Sequence, residues 1–394
     1  MTAPVRTEKA LLLSLVHPDF LPSVYSLSFV LRDKGYDVDV VSFSSPVRGP
    51  QHAEQGITLH DCGPYAGSAS AKAGARRNFR MTAQRLTGTR KPAVIIATCP
   101  FSFLEALRLR GEESPVVYYM LETYEARRRD LFRSPRTTLR SWRALRHVSE
   151  ADLVCTPSPE RSGWLAGVAR MRRLPATVLN SPSFAATRDR RADPSVGDRL
   201  LPSGMRSNAL VIHTGAVSAT QAVLELVESV AKWPAGLGLV VTNVGNSAYG
   251  DAVRSAAAQS VRSDSIALLP TVTRQDMLAL QSMSSLGVCL LRPGDNLEAM
   301  MPAPNKVGEY LHSGLTIVGV RMPYLNELEI AGVAVLAERL TPDAIASAVA
   351  RAWETSGRAS GRTRALSVAG TWYCMETQAR PILQLIERDA REDR

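Results

Sequence analysis

The sequence is poor in cysteine and shows no pattern among the five it has: Cys62, Cys99, Cys155, Cys289 and Cys374 stand far apart, with no CxxC pair and no Cys/His cluster. That spacing fits neither a disulfide framework nor a cysteine-based zinc site, so the thiols are expected to be reduced and packed. Long hydrophobic runs are also missing. Runs such as Ala10 to Val16 and Ala93 to Ala97 fall far short of the ~20 apolar residues needed to span a bilayer. No small-residue cleavage site follows the short apolar run in MTAPVRTEKALLLSLVHPDF, so no signal peptide is expected and the location reads as cytoplasmic. No DxD-type metal motif stands in a persuasive place, and no metal or cofactor is expected. Helix-turn-helix, zinc-finger and stacking-platform signatures are absent, so no nucleic-acid partner is expected. Short repeats and low-complexity tracts are lacking as well, and 45% apolar with 21% charged residues is a globular composition.

What is present is length and an uneven charge. At 394 residues the chain exceeds one ordinary core and suits two, since domains cluster at about 100 to 200 residues. The net charge of +10 lies wholly in the first half: residues 1 to 183 hold 26 Lys and Arg against 16 Asp and Glu, and the remainder 21 against 21. That half either meets something anionic, a phospholipid surface, a phosphorylated acceptor or nucleic acid, or carries a solvated Arg-rich surface.

Hydrophobic periodicity alternates between short runs and amphipathic stretches. Ala10 to Val16, Val24 to Lys34 closed by Gly35, and Asp37 to Phe43 read as a β-α-β unit, and strands and helices then alternate to Leu179. Residues 180 to 208 break into a Ser-, Pro- and charge-rich segment, after which the alternation resumes at Ala209 and runs to Val320. Such alternation implies parallel sheets covered on both faces. The fold class is therefore α/β, with two Rossmann-like domains facing a central cleft: residues 1–183, a linker at 184–207, a second domain at 208–371, and a C-terminal helix at 372–394 returning to the first domain. Open α/β sheets bind ligands outside the carboxyl ends of their strands, which makes that cleft the expected site.

The most informative segment is Leu286 to Val320. A buried strand leads into a Pro-rich loop, and a helix begins about Asn305, a residue type able to cap it. A helix start at the carboxyl end of a strand turns unpaired N–H groups and a positive dipole end toward a ligand. Lys306 adds a cation, and Glu309, one turn on, an acceptor for hydroxyl groups. Diphosphate plus ribose suits such a set.

The run PAPNKVGEYLHSGLTIVGV resembles the Pro-x-Lys-x-x-Glu-Tyr-Leu-x-x-Gly-x-x-Val-Val signature of retaining family-4 nucleotide-sugar glycosyltransferases of the GT-B fold. SEADLVCTPSPERSGWL, TVLNSP, HTGAVSATQAVLELVESV, LLPTVTRQDMLALQSMSSLGVCLL and GTWYCMETQARPILQLIE are similar to further stretches of that family, in order. The resemblance implies transfer of a sugar from a nucleotide-diphosphate donor, UDP first among the bases, to a hydroxyl acceptor of a cell-surface glycan, a lipid-linked compound or a natural product, with retention and without metal. It also implies that Glu309 accepts from the ribose hydroxyls. Pro304, Asn305, Lys306 and Val307 would surround the diphosphate and sugar, Thr271 and Val272 would meet the base edge through their main chain, and Gly215 and Gly245 would admit the phosphates.

The sequence departs from that pattern at two places. Many relatives carry an acid eight positions before the helix glutamate, where this chain has Met301, and cations after the first glycine, where this chain has Ala216 to Gln221. Lys306 or Arg292 could supply the charge, and Glu298 the acid. In the first domain, His17 follows the first strand, and Glu122 and Tyr124 follow the strand ending at Met120, about where relatives place groups near the reacting centre. Tyr124, Arg127, Arg128, Arg129 and Arg133 open a basic stretch suited to an anionic acceptor or a peripheral contact with the inner membrane face, and equally to a solvated basic helix. Two rivals remain: a sugar-nucleotide epimerase or pseudo-glycosyltransferase on the same fold, and a catalytically silent subunit that binds a nucleotide sugar.

Overall fold

The computed structural model describes residues 8–18, 21–44, 56–111, 114–122, 135–188, 194–292, 304–356 and 359–392. The chain divides into two compact units, the first formed by Met1–Ala186 with Met375–Arg394 and the second by Thr187–Asp295 with Pro304–Cys374.

Unit 1 is built on seven strands, β1 (Lys9–Leu13), β2 (Asp37–Ser42), β3 (Ile57–Asp61), β4 (Val94–Ala97), β5 (Val116–Tyr119), β6 (Leu153–Thr156) and β7 (Ala176–Thr177), in the order β3-β2-β1-β4-β5-β6-β7. Every pairing is parallel. β1 and β4 are buried along their whole length, as strands covered on both faces must be. One face packs Leu11, Leu13, Phe79, Phe101 and Phe103 beneath the helices Ala69–Thr89 and Pro100–Leu109. The other packs Leu12, Val24, Leu27 and Leu31 with Met375, Ala379, Ile382 and Ile386. The C-terminal segment thus completes unit 1: the Met375 N–H donates to the Pro182 carbonyl at 2.9 Å, and Gln378 Oε1 accepts from the Leu179 N–H at 3.0 Å.

The stretch between β2 and β4, where little apolar periodicity is visible, holds β3 and the long helix Ala69–Thr89. That helix buries only Ala75, Phe79, Ala83 and Leu86, a stripe too thin to stand out among its charged and small residues. It starts where Ser68 accepts from the Ala71 N–H. The helix expected from Trp372 onward is two pieces, Met375–Gln378 and Arg380–Glu392, and a separate helix, Ala359–Trp372, ends where it was expected to begin. Residues 184–207 hold the helices Phe184–Arg188 and Pro194–Leu200, and Val196, Leu201 and Met205 in this stretch are buried.

Unit 2 has six strands, β8 (Ala209–His213), β9 (Leu237–Val241), β10 (Ile266–Leu268), β11 (Ser284–Cys289), β12 (Thr316–Val320) and β13 (Ala334–Ala337), in the order β10-β9-β8-β11-β12-β13. All pairings are again parallel. The chain lays down β8, β9 and β10 outward, then returns to place β11 on the far side of β8, which creates a topological switch point between β8 and β11.

The helix Asn305–His312 crosses β11 at an unusually close approach. A methyl group on Gly287 would stand 2.4 Å from two carbons of the Tyr310 ring, so only glycine lets this buried ring lie on the strand. Gly287→Ala is expected to destabilise unit 2 by about 1–3 kcal/mol or more through overpacking, measured as a lower denaturation midpoint at unchanged m-value.

Candidate functional site

At the switch point of unit 2 the strands end in residues with unusual backbone. β8 runs out through Thr214 into Gly215 at φ +97°, and β9 through Thr242 into Asn243 at φ +63°. Asn is among the few non-glycine residues that tolerate this left-handed region, and its Nδ2 donates to the Gly215 carbonyl at 3.3 Å. Tyr310 fixes the same loop from the other side. Its hydroxyl accepts from the Thr214 N–H at 3.0 Å and donates to the Val288 carbonyl at 3.4 Å, joining the ends of β8 and β11.

The expected cap of the following helix is corrected. Asn305 is the first helical residue, Pro304 occupies the cap position, and no side chain caps the helix. Proline's fixed φ suits an entry of this kind, and it has no N–H to satisfy.

Lys306 points into the bend after β8. A Cβ on Gly215 would lie 3.5 Å from its Cε and 3.6 Å from its Nζ, so Gly215 provides both the left-handed turn and the room for the lysine. Lys306 is 8% exposed, and its ammonium donates to Gln221 Oε1 at 2.9 Å. No carboxylate stands within ion-pair distance of it among the described residues. Burial pushes its pKa down, with Cys289 and Glu309 opposing.

Glu309, 3% exposed, is bound differently. Its Oε1 accepts from Arg274 Nη1 at 3.0 Å and its Oε2 from Gln281 Nε2 at 3.3 Å, and the Arg274 side chain is equally buried. Such a pair is costly to break, because removing one partner strands the other's charge. Arg274 opens the helix Arg274–Met283, capped by Thr273, so Thr271 and Val272 lie in the turn leading directly to the arginine that grips Glu309.

Arg292 crosses the segment from Ala216 to Gln221 that lacks cations. Its N–H donates to the Thr220 carbonyl at 2.8 Å, its Nε to the Ala219 carbonyl at 3.4 Å, and its guanidinium pairs with Glu225. Gly245 lies beyond β9, where its carbonyl accepts from the Ser247 N–H at 3.1 Å, and no described contact joins it to Lys306 or Glu309. The structure therefore gathers Pro304, Asn305, Lys306, Val307, Glu309 and Gly215, brings Thr271 and Val272 beside Arg274, and ties Arg292 to the loop after β8.

In unit 1, His17 follows β1 and Glu122 follows β5, with β4 between these strands. Tyr124, Arg127, Arg128, Arg129 and Arg133, like Met301 and Glu298, lie outside the described residues. Among the described residues no group of three His, Cys, Asp or Glu is placed to hold a metal ion, and no helix is long and apolar enough to cross a membrane.

Sequence reasoning missed four participants. Arg274 and Gln281 meet Glu309 across 35 and 28 residues with no local pattern to announce them. Asn243 betrays itself only through its backbone angle. His213, the last residue of β8, is fully buried beside Lys306, with Nε2 3.4 Å from the Ala216 carbonyl and Nδ1 without a hydrogen-bond partner.

No protein-family model and no curated protein matches the sequence. Solved structures do. A sucrose-phosphate synthase from Thermosynechococcus elongatus superposes with a TM-score of 0.67 at 14% identity, over 97% of this chain and 98% of that one. HepE of Anabaena, in complex with UDP and glucose, gives 0.68 at 16% identity over 96% and 99%. The chain has the GT-B fold. A putative UDP-N-acetylglucosamine 2-epimerase from Listeria monocytogenes is also similar, at a TM-score of 0.61 and 12% identity over 98% and 97%.

Burial first, and then Lys306, hold the His213 pKa well below its ordinary value. The folded protein therefore keeps this imidazole neutral while the unfolded chain protonates near pH 6.5. Stability should fall as pH drops below about 6.5, by up to ~1.4 kcal/mol per pH unit from this group. His213→Gln should remove that share of the slope, as read from urea denaturation between pH 7 and pH 5.

Proposed function

We propose that this protein is a glycosyltransferase that moves a sugar from a nucleotide diphosphate to a hydroxyl acceptor, with the nucleotide held at the switch point of unit 2. The observation that carries this reading is Lys306, a buried ammonium whose described partner is a neutral amide oxygen, beside an uncapped helix start. A buried charge without a countercharge is unfavourable, and a diphosphate is the ion that relieves it.

In this mechanism Lys306 and the first-turn N–H groups of the helix Asn305–His312 stabilise charge as it develops on the leaving diphosphate. Gly215 lets the main chain approach the phosphates. Glu309 accepts from the ribose hydroxyls with the capacity left beyond Arg274 and Gln281, since an ionised carboxylate offers about four lone-pair sites. The main chain at Thr271 and Val272 meets the base. Arg292, already paired with Glu225, contributes less charge than Lys306. UDP is the first base to test, because the HepE structures contain UDP or UDP-glucose. Retention of configuration, a metal-independent reaction and a cytoplasmic location, with peripheral contact at the inner membrane face, complete the proposal. The fold likeness to the epimerase supports a second reading. Incubation with UDP-glucose separates the two: a transferase releases UDP when an acceptor is present, and an epimerase inverts a sugar carbon without net release.

Lys306→Met tests the assignment with effects of opposite sign. Without ligand the variant should be more stable than wild type near neutral pH, because an unpaired buried charge is gone. That gap should narrow as pH rises toward about 10.4: once past its lowered pKa, the folded lysine is neutral while the unfolded lysine still binds a proton, so wild-type stability climbs. With UDP, calorimetric titration should show weakened binding, and turnover should fall about a hundredfold or more, the equivalent of ~2.7–4 kcal/mol. Near wild-type rate and affinity would remove Lys306 from the mechanism.

A further inference from the structure

The carboxyl end of the unit 1 sheet carries a gathering of arginines that the reading above does not use. Phe43 directly follows β2, Tyr65 lies beyond β3, and Phe101 is the second residue of the helix that follows β4. Phe43 stacks on Tyr65 at 4.6 Å between centroids, and Phe79 meets Phe101 edge-on at 5.5 Å. Three guanidinium groups converge on these rings. Arg80 and Arg140 lie 5.5 and 5.3 Å from the Phe101 centroid, and Arg76 lies 5.0 Å from that of Tyr65 and donates to its hydroxyl. Arg76 and Arg80 come from one helix and Arg140 from another, Pro135–His147, so tertiary packing brings them together.

Among the described residues the charges do not balance. Glu105 pairs with Arg80 at 2.8 Å but is shared with Arg108, also at 2.8 Å. Neither Arg76 nor Arg140 has a carboxylate within ion-pair distance among the described residues. Both are half-buried. Burial, followed by Arg76, holds the Arg140 pKa below its ordinary value, with Tyr65 opposing and Arg80 adding to the effect. Like charges at i and i+4, as Arg76 and Arg80 are, cost stability on their own. The rings hold the guanidinium planes in place, which pre-organises the group rather than letting it scatter into solvent.

We propose that Arg76, Arg80 and Arg140 bind a phosphate monoester carried by the acceptor. Among the described residues, the site has two uncompensated positive charges and a third only half compensated. A phosphate monoester carries about −1.5 to −2 at neutral pH, with three oxygens that match guanidinium forks bidentately. A carboxylate would leave one arginine unmet. The position outside the carboxyl ends of β2, β3 and β4 is where open parallel sheets receive ligands. Only the word acceptor rests on the transferase reading; the phosphate site itself does not.

The full-length protein titrated calorimetrically with glucose 6-phosphate should bind it and should not bind glucose. The double variant Arg76→Gln, Arg140→Gln should bind at least about tenfold more weakly, the scale of a lost charged hydrogen bond. Its UDP titration should be unchanged and its thermal midpoint equal or higher. Vesicles of phosphatidylcholine doped with phosphatidate form the second arm. Cosedimentation that the double variant loses, without a glucose 6-phosphate response, assigns the phosphate to a lipid headgroup and supports the site. If the double variant does not fold, Arg140→Gln alone should weaken binding about threefold or more. Absence of binding in both arms, or binding that survives the substitutions, overturns the proposal. A wild type that binds glucose 6-phosphate but no nucleotide would overturn the transferase reading and leave the phosphate site standing.

Discussion

The contact on which unit 2 depends is the Tyr310 ring lying on Gly287. It brings the helix Asn305–His312 closer to β11 than any side chain on the strand would allow, and the phenol then bridges Thr214 and Val288 at the ends of β8 and β11. Everything chemical in the unit is referenced to that position. Lys306 lies one turn before the tyrosine and Glu309 immediately before it, so both inherit their placement from an apolar contact and one bridging hydroxyl. The two groups then meet opposite electrostatic fates. Glu309 is neutralised inside the protein by Arg274, whereas Lys306 is given an amide oxygen and held against a glycine that offers no countercharge. A fold optimised only for stability would pair the lysine or replace it, and this imbalance is what the proposed diphosphate site draws on.

Much of the architecture was legible in the sequence. The fully buried runs at β1, β4 and β12 and the helices between them declare parallel sheets, because strands covered on both faces need no alternation. The turn from helix to strand at Gly314, at φ +74°, was equally plain. The segment from Ile57 to Thr89 was not, since β3 is a half-exposed edge strand and its helix buries one residue per turn. The arginines Arg76 and Arg80 were overlooked for the same reason.

At the site, Lys306 and Glu309 could be picked out because a single helix start carries both within one turn. Their surroundings could not. Arg274, Gln281 and Gln221 reach them from other elements, and only the order of the strands, β10-β9-β8-β11, explains why these elements end together. The Asn305 cap fails for a local reason: Pro304 sets the backbone angle first, and asparagine moves into the helix.

The return of the C-terminal segment to unit 1 has a consequence for biosynthesis. Met375, Ala379, Ile382 and Ile386 fill one face of a sheet whose strands are all synthesised before residue 178. At a translation rate of ~5–20 residues per second, roughly 10 to 40 s separate the last strand from the helix that covers it. During that interval the nascent first unit exposes Leu12, Val24 and Leu27 beside an open sheet face. The second unit, encoded between the two parts, is synthesised whole before the first can close. The part of the chain made first is thus the last to mature, and it is the part that would call on a chaperone.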